Sequence, residues 1–171
     1  MKIICAWCEK EIENTAEQDK TSKYEISHGI CLPCKERFLA KDEYSLEHFL
    51  NNLEAPVLVV NSAGEVALAN DQALELLGKG LEQVKGYRGG DVMECAHAAL
   101  PGGCGDTRHC VACTIRNNVM ETLETGECKQ QVPAFLNQQL NGDKQIVDYL
   151  ISTEKMDEVV LLRIDHVSMR S

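Results

Sequence analysis

The sequence lacks both an excess of basic residues and any long apolar run. Its 171 residues include 17 Lys and Arg against 27 Asp and Glu, which gives a formal net charge of −10. A chain this acidic has no broad positive field, so binding to nucleic acid or to an anionic membrane is not expected. No stretch approaches about 18 consecutive apolar residues, and the first residues lack the apolar core of a signal peptide. We therefore expect a soluble, cytoplasmic protein.

Catalytic and haem-attachment motifs are also missing. The sequence contains no Walker loop, G-x-S-x-G, H-E-x-x-H or G-x-G-x-x-G. Covalent attachment of haem needs C-x-x-C-H, but the three C-x-x-C pairs are followed by Glu9, Lys35 and Thr114. The sequence therefore gives no support for an enzyme, and it excludes a c-type haem.

Cysteine, by contrast, is abundant, with nine residues in the chain. In a reducing compartment cysteines stay free or bind metal, and an odd number further disfavours a disulfide framework. Cys128 stands alone, and the other eight form two groups of four. The first group is Cys5, Cys8, Cys31 and Cys34, and the second is Cys95, Cys104, Cys110 and Cys113. This grouping predicts two metal sites.

The first group has the spacing C-x2-C-x22-C-x2-C. Two such pairs can direct four thiolates at one tetrahedral ion, as in zinc ribbons. Residues 1–43 contain few large apolar side chains, so metal binding would supply much of their folding free energy. We predict a zinc-ribbon-like module that holds a structural zinc, with an iron site as the alternative because four thiolates also suit iron. His28 is an alternative ligand.

The second group has the less regular spacing C-x8-C-x5-C-x2-C, within a glycine-rich segment. Glycines let the backbone approach a metal or cluster closely. Cys110 and Cys113 lie where a helix is predicted to begin, and the helix dipole there favours thiolates. Zinc, an iron–sulfur cluster and reversible thiol–disulfide exchange all remain open for this group. We take its four cysteines as the preferred ligands and His97 as the substitute.

Hydrophobic periodicity predicts helices and strands in the remaining chain. The predicted helices are 45–53, 71–77, beginning after the N-cap Asn70, and about 111–125. The predicted strands are 57–60, 65–69, 127–136, 145–153 and 158–167, with a turn at Asn141-Gly142-Asp143. This order implies an α+β fold, a five-stranded antiparallel sheet with helices on one face. We place a domain boundary after residue 43, so the second domain is 44–171.

The span from about residue 45 to 168 resembles a PAS (Per-Arnt-Sim) domain. The resemblance is carried by Ala55-Pro56-Val57-Leu58-Val59-Val60-Asn61, Gly64-Glu65-Val66, Ala69-Asn70-Asp71-Gln72-Ala73-Leu74-Glu75-Leu76-Leu77-Gly78 and the final three-strand meander. It implies a sheet and helical layer that enclose a ligand pocket, and a signalling role often expressed through dimerisation. A cysteine-rich insertion at about 94–113 replaces short helices typical of such domains.

Together these features predict a sensory or regulatory metal-binding protein. The PAS-like domain would sense redox state, metal or a small ligand and signal through protein–protein contact. The partner would be another protein, an output module in trans or a second copy of the chain. Two alternatives remain: a small iron–sulfur electron-transfer protein, and a structural adaptor stapled by zinc.

Overall fold

The computed structural model describes residues 2–5, 8–12, 26–39 and 43–170. The chain forms two compact units, Met1–Leu53 and Glu54–Ser171. This division falls after residue 53. The domain boundary proposed after residue 43 stays a prediction. Among the described residues, no helix is long and apolar enough to cross a membrane.

The first unit combines a small sheet with two helices. Its strands are β1 (Lys2–Cys5), β2 (Glu11–Ile12) and β3 (Ile26–Gly29), and its helices are α1 (Leu32–Leu39) and α2 (Glu43–Asn51). Strand β1 lies in the middle, antiparallel to β2 and parallel to β3. The parallel pairing aligns Cys5 with Gly29, so residues distant in sequence meet beside the first cysteine pair.

The second unit is built on a five-stranded antiparallel sheet in the order β5-β4-β8-β7-β6. Its strands are β4 (Val57–Val60), β5 (Val66–Ala69), β6 (Lys129–Leu140), β7 (Asp143–Met156) and β8 (Val159–Met169). Every neighbouring pair is antiparallel. The predicted α+β class and five-stranded antiparallel sheet are therefore confirmed.

Local chemistry explains several element ends. Asn141 and Gly142 both have positive φ, 52° and 88°, as the tight two-residue turn between β6 and β7 requires. Helix α3 (Asp71–Leu77) begins after Asn70, whose side chain accepts a hydrogen bond from the Ala73 N–H. The helix ends at Gly78, which adopts the left-handed conformation typical of helix C-termini. The predicted turn and the predicted cap are confirmed.

The two other predicted helices have different starting points. Helix α2 begins at Glu43, so Ser45 lies inside it and not at its start. Helix α5 (Thr114–Thr125) begins three residues later than the periodicity predicts, with Cys113 as its N-cap. Residues Cys110–Ala112 form a separate 3-10 turn. Cys110 therefore lies before the helix and only Cys113 adjoins it.

The core lies between the sheet and the helices α3, α4 (Gly89–Val92) and α5. Leu58, Leu162 and Ile164 contribute from the strands, and Ile115 and Val119 from α5. All five are buried in one continuous cluster. The cysteine-rich segment joins α4 to α5, so it is anchored at both ends to this core.

Candidate metal centre and cysteine-lined cavity

The first cysteine group converges on one point. Cys5 ends β1 and Cys8 lies in the turn that follows. Cys31 directly precedes α1, and Cys34 lies in its first turn. The four sulfurs all lie within 4.8 Å of one another, and those of Cys8 and Cys31 are 3.6 Å apart. The predicted set of four cysteines is thus brought together in the first unit.

Burial at this site penalises thiolates that have no cation beside them. Cys5 and Cys34 are buried, and the Cys31 N–H donates to the Cys5 sulfur at 3.4 Å. Burial, with contributions from Cys31 and Cys5, raises the pKa of the Cys34 thiol far above its usual range. A divalent cation would relieve this penalty because it compensates the charge of the thiolates. The donor set and its spacing fit a tetrahedral ion with metal–sulfur distances of about 2.3 Å.

The alternative ligand His28 lies in β3. Its side chain is outside the described part of the structure. The side chain of Trp7, between the first two cysteines, is likewise outside the described residues. The first site therefore rests on its four sulfur atoms.

The second cysteine group lines a cavity of about 430 Å³ between the sheet and α5. All four predicted cysteines reach this cavity, and so do His97 and His109. An apolar part of the wall includes Leu58, Val66, Leu136, Leu162, Ile115 and Val119. The cysteines and histidines of the insertion thus face a cavity inside the second unit.

The two groups differ in how closely their donors approach. Within the described residues, only the first group has three or more metal-binding side chains whose donor atoms all lie within 4.8 Å. The thiols of the second group still influence one another, since Cys110 and Cys113 both contribute to the raised pKa of Cys104 after burial, its main cause. The cysteines of the second group therefore line a common cavity, but their sulfurs do not converge as closely as those of the first group.

Backbone N–H groups point at two sulfurs of the second group. The Gly90 N–H donates to the Cys104 sulfur at 3.2 Å, and the Gly105 N–H to the Cys110 sulfur at 3.1 Å. The Thr107 hydroxyl lies 3.2 Å from the Cys110 sulfur. Burial raises the pKa of Cys110, but the hydrogen bonds from Thr107 and Gly105 outweigh it, so the pKa is lowered overall. Burial raises the pKa of Cys113, against N–H groups at the start of α5.

The opposite wall of the cavity is fixed to β6. Cys95 pairs with Gln138 as an isolated β-bridge, and the Ala96 N–H donates to the Asn137 carbonyl at 2.7 Å. The rings of His97 and His109 stack with their centroids 4.0 Å apart. His97 also approaches the Asn137 side chain, with 3.4 Å between nitrogens. Burial, followed by the influence of His109, lowers the pKa of His97.

Three groups around the cavity were not identified from the sequence. Gly90 must be glycine, because a Cβ there would lie 2.6 Å from the Cys104 sulfur. Thr107 is buried beside Cys110. Arg88 donates to the Cys104 carbonyl and to the Asp106 carboxylate, which fixes the loop between them. The pair Gly89-Gly90 was the only sequence signal for these contacts.

This architecture can be compared with known proteins. Residues 44–100 match the family model of the PAS fold. This segment of the chain is similar to the PAS fold. The match begins with α2 and ends inside the cysteine-rich segment, and the remaining helix and three-strand meander complete the five-stranded sheet. No curated protein matches the sequence.

Several solved PAS and LOV structures resemble the PAS domain. The LOV protein of Rhodobacter sphaeroides is 16% identical over 70% of this chain and 62% of its own length, with a TM-score of 0.47. A PAS domain from Desulfitobacterium hafniense is 17% identical over 72% of this chain and 99% of its own, with a TM-score of 0.42. The photoactive yellow protein domain of the sensor histidine kinase Ppr from Rhodospirillum centenum is 11% identical over 70% and 92%, with a TM-score of 0.42. The PAS assignment rests on the family model and the sheet.

Proposed function

We propose that this protein is a sensory or regulatory metal-binding protein whose PAS domain responds to what its cysteine-lined cavity holds. The observation that carries this proposal is the convergence of Cys95, Cys104, Cys110 and Cys113 on one cavity of the PAS domain. PAS domains are typically sensory modules, and here the residues facing the cavity have metal-binding chemistry. A bound metal centre is therefore the state to be sensed.

The first site has a different role in this proposal. Its four sulfurs are close enough for a single tetrahedral ion, and two of them are buried. A site closed by four protein ligands has no open position for substrate, so it stabilises and does no chemistry. We assign zinc to this site, as a structural ion for the small β2-β1-β3 sheet. We call the module zinc-ribbon-like because of the spacing of its two C-x2-C pairs.

The second site is connected to the elements that could carry a signal. Cys113 is the N-cap of α5, and Cys95 is bridged to β6 at Gln138. A metal centre bound by both cysteines would tie the beginning of α5 to an edge strand of the sheet. Its loss would release this tie, while Thr122 continues to anchor the other end of α5 to Thr153 of β7. Such a helix, fixed at one end and released at the other, is a two-state element.

The output would be a protein contact. An acidic chain of this kind is suited to protein partners, either an output protein in trans or a second copy of itself. In this two-state description, α5 has one conformation when the cavity is occupied and another when it is empty. The partner binds one of these conformations more tightly than the other. The cytoplasm, where thiols stay reduced, is the compartment in which such a site would function.

Hydrogen exchange tests this proposal in the full chain. We expect faster exchange in residues 114–118 when the second site is emptied by a chelator or by Cys110→Ser with Cys113→Ser, because α5 loses its tie to β6. The matched control is Cys128→Ser, which removes a cysteine outside both groups. Unchanged exchange in α5 after verified loss of metal from the second site would contradict the proposal.

A further inference from the structure

We propose that the second cysteine group binds an iron–sulfur cluster of several irons and not a single metal ion. This inference rests on the proposed function, because it names the centre that the PAS cavity holds. It begins from the contrast between the two groups within one chain. Each group offers four cysteine thiols, but the distances between the sulfurs differ between the two groups.

A single ion sets a narrow limit on the distance between its ligands. With metal–sulfur bonds of about 2.3 Å in tetrahedral geometry, neighbouring thiolate sulfurs lie about 3.8 Å apart. The first group is compatible with this distance, since all its sulfurs lie within 4.8 Å of one another. Among the described residues, no three donor atoms of the second group do so. A multi-iron cluster separates its thiolates, because they bind different iron atoms.

The space between the thiols agrees with this larger centre. The four cysteines are among the residues that line a cavity of about 430 Å³, which has room for more than one ion. Cys95 is fixed by its bridge to β6 and Cys113 by the start of α5, so these two walls cannot close on one ion without disturbing the sheet or the helix. A cluster that contains its own sulfide would fill the distance between them.

The polar surroundings of the cavity suit an anionic sulfur centre. The sulfurs of Cys104 and Cys110 accept N–H hydrogen bonds from Gly90 and Gly105. Hydrogen bonds to the sulfurs are among the factors that set the potential of such clusters. Arg88, Arg108 and Arg116 also line the cavity, although the chain as a whole carries a net charge of −10. These cations would offset the negative charge of a thiolate-bound cluster.

The test is a metal and sulfide analysis of the full chain prepared without oxygen and incubated with ferrous iron, sulfide and a thiol reductant. We expect absorbance at about 400 nm and similar amounts of iron and acid-labile sulfide. About one zinc ion per chain should be retained at the first site. Cys104→Ser and Cys110→Ser should each remove most of the iron and sulfide while the zinc remains. Cys128→Ser should leave all three unchanged.

Three outcomes would overturn the inference. The first is two zinc ions per chain with no iron or sulfide after this treatment. The second is iron without sulfide, which indicates a single-iron site. The third is absorbance that survives Cys104→Ser and Cys110→Ser but disappears with Cys5→Ser, which places the iron at the first site. The retained zinc shows only that the first unit of the serine variants remains folded, and the iron-to-sulfide ratio of the unmodified chain decides the question if their second unit does not fold.

Failure of this inference is distinguishable from failure of the proposed function. A second zinc ion whose removal still accelerates exchange in α5 would contradict the cluster but leave a metal-responsive PAS domain. A cluster whose removal has no effect on α5 would support the inference about the site and contradict its sensory role.

Discussion

Gly90 and Cys104 approach so closely that a methyl group on residue 90 would lie 2.6 Å from the Cys104 sulfur. The Gly90 N–H also donates a hydrogen bond to this sulfur at 3.2 Å. The two residues belong to α4 and to the following loop, so their contact fixes one cysteine of the cavity against the helical layer. The position of Cys104 therefore depends on Gly90, a residue that has no side chain to bind a metal.

Gly90→Ala should weaken metal binding at the second site. The added Cβ must displace the Cys104 sulfur and disturb its N–H bond, and losses of this kind typically reduce metal affinity roughly 10–100-fold. Gly89→Ala is the matched control, since a Cβ on Gly89 meets nothing within 4 Å. Metal titration of both variants measures the difference. Equal affinities would show that Cys104 does not contribute to binding.

Removal of zinc should unfold the first unit. Apparent binding energies of structural zinc sites reach about 10–16 kcal/mol, which exceeds the stability of a small sheet. A strong chelator, or Cys8→Ser, should therefore abolish protection from hydrogen exchange in β1 and β3. Cys128→Ser with zinc present serves as the control. Protection that persists after the zinc has been removed would contradict a structural role.

Asn70→Ala should destabilise the second unit. The fully buried Asn70 side chain accepts from the N–H groups of Val57 and Ala73 and donates to the Ala55 carbonyl. Alanine would leave these backbone groups unpaired, at a cost of roughly 1–3 kcal/mol or more. Asn70→Asp keeps the acceptor and should show which part of the loss belongs to the donor. Urea unfolding measures both, and an unchanged midpoint for Asn70→Ala would refute this role.

The buried hydroxyls of Thr122 and Thr153 should behave as a coupled pair. They lie 2.7 Å apart, and Thr122 also donates to the Glu127 carbonyl. Thr122→Val removes two contacts and should cost roughly 1–3 kcal/mol, whereas Thr153→Val leaves Thr122 its carbonyl partner and should cost less. The double variant should be more stable than the sum of the single losses predicts. Strict additivity in urea unfolding would show that the two residues are uncoupled.

Tyr149 should make the stability of the second unit sensitive to alkaline pH. Burial raises the pKa of this phenol from 10.0 to about 12, against the effect of the Gln138 side chain. Below about pH 10 the phenol is neutral in both folded and unfolded chains. Above this pH the unfolded chain releases the proton first, so stability should fall as pH rises toward about 12. Denaturant unfolding across this range should show a smaller decrease for Tyr149→Phe.

Much of the PAS fold could be predicted because its elements end at residues with strong local preferences. Asn70 caps α3 and Asn141-Gly142 forms the hairpin turn from side-chain and backbone chemistry alone. The start of α5 was placed too early, because apolar periodicity does not distinguish a 3-10 turn from the helix after it. Strand order depends on pairings between distant segments, for which periodicity gives no signal.

For the candidate site, the sequence could predict how the cysteines are grouped but not their geometry. Cysteine spacing indicates the two groups, and the compact first group agrees with its two C-x2-C pairs. Spacing does not reveal that Cys95 pairs with Gln138, since this bridge joins the insertion to a strand more than forty residues later. This long-range anchor fixes the backbone of Cys95 beside the edge strand β6.

The order of the sheet also determines how the second unit can be assembled. The central strand β8 is the last of the five to be synthesised, and it lies between β4 and β7. Contacts between segments so distant in sequence are typical of slow folding. During translation, β4 and β5 must wait for residues 159–169 before their sheet is complete. The cysteines of the cavity emerge earlier, so the proposed metal centre would be inserted either into an unfinished domain or through an opening in the finished one.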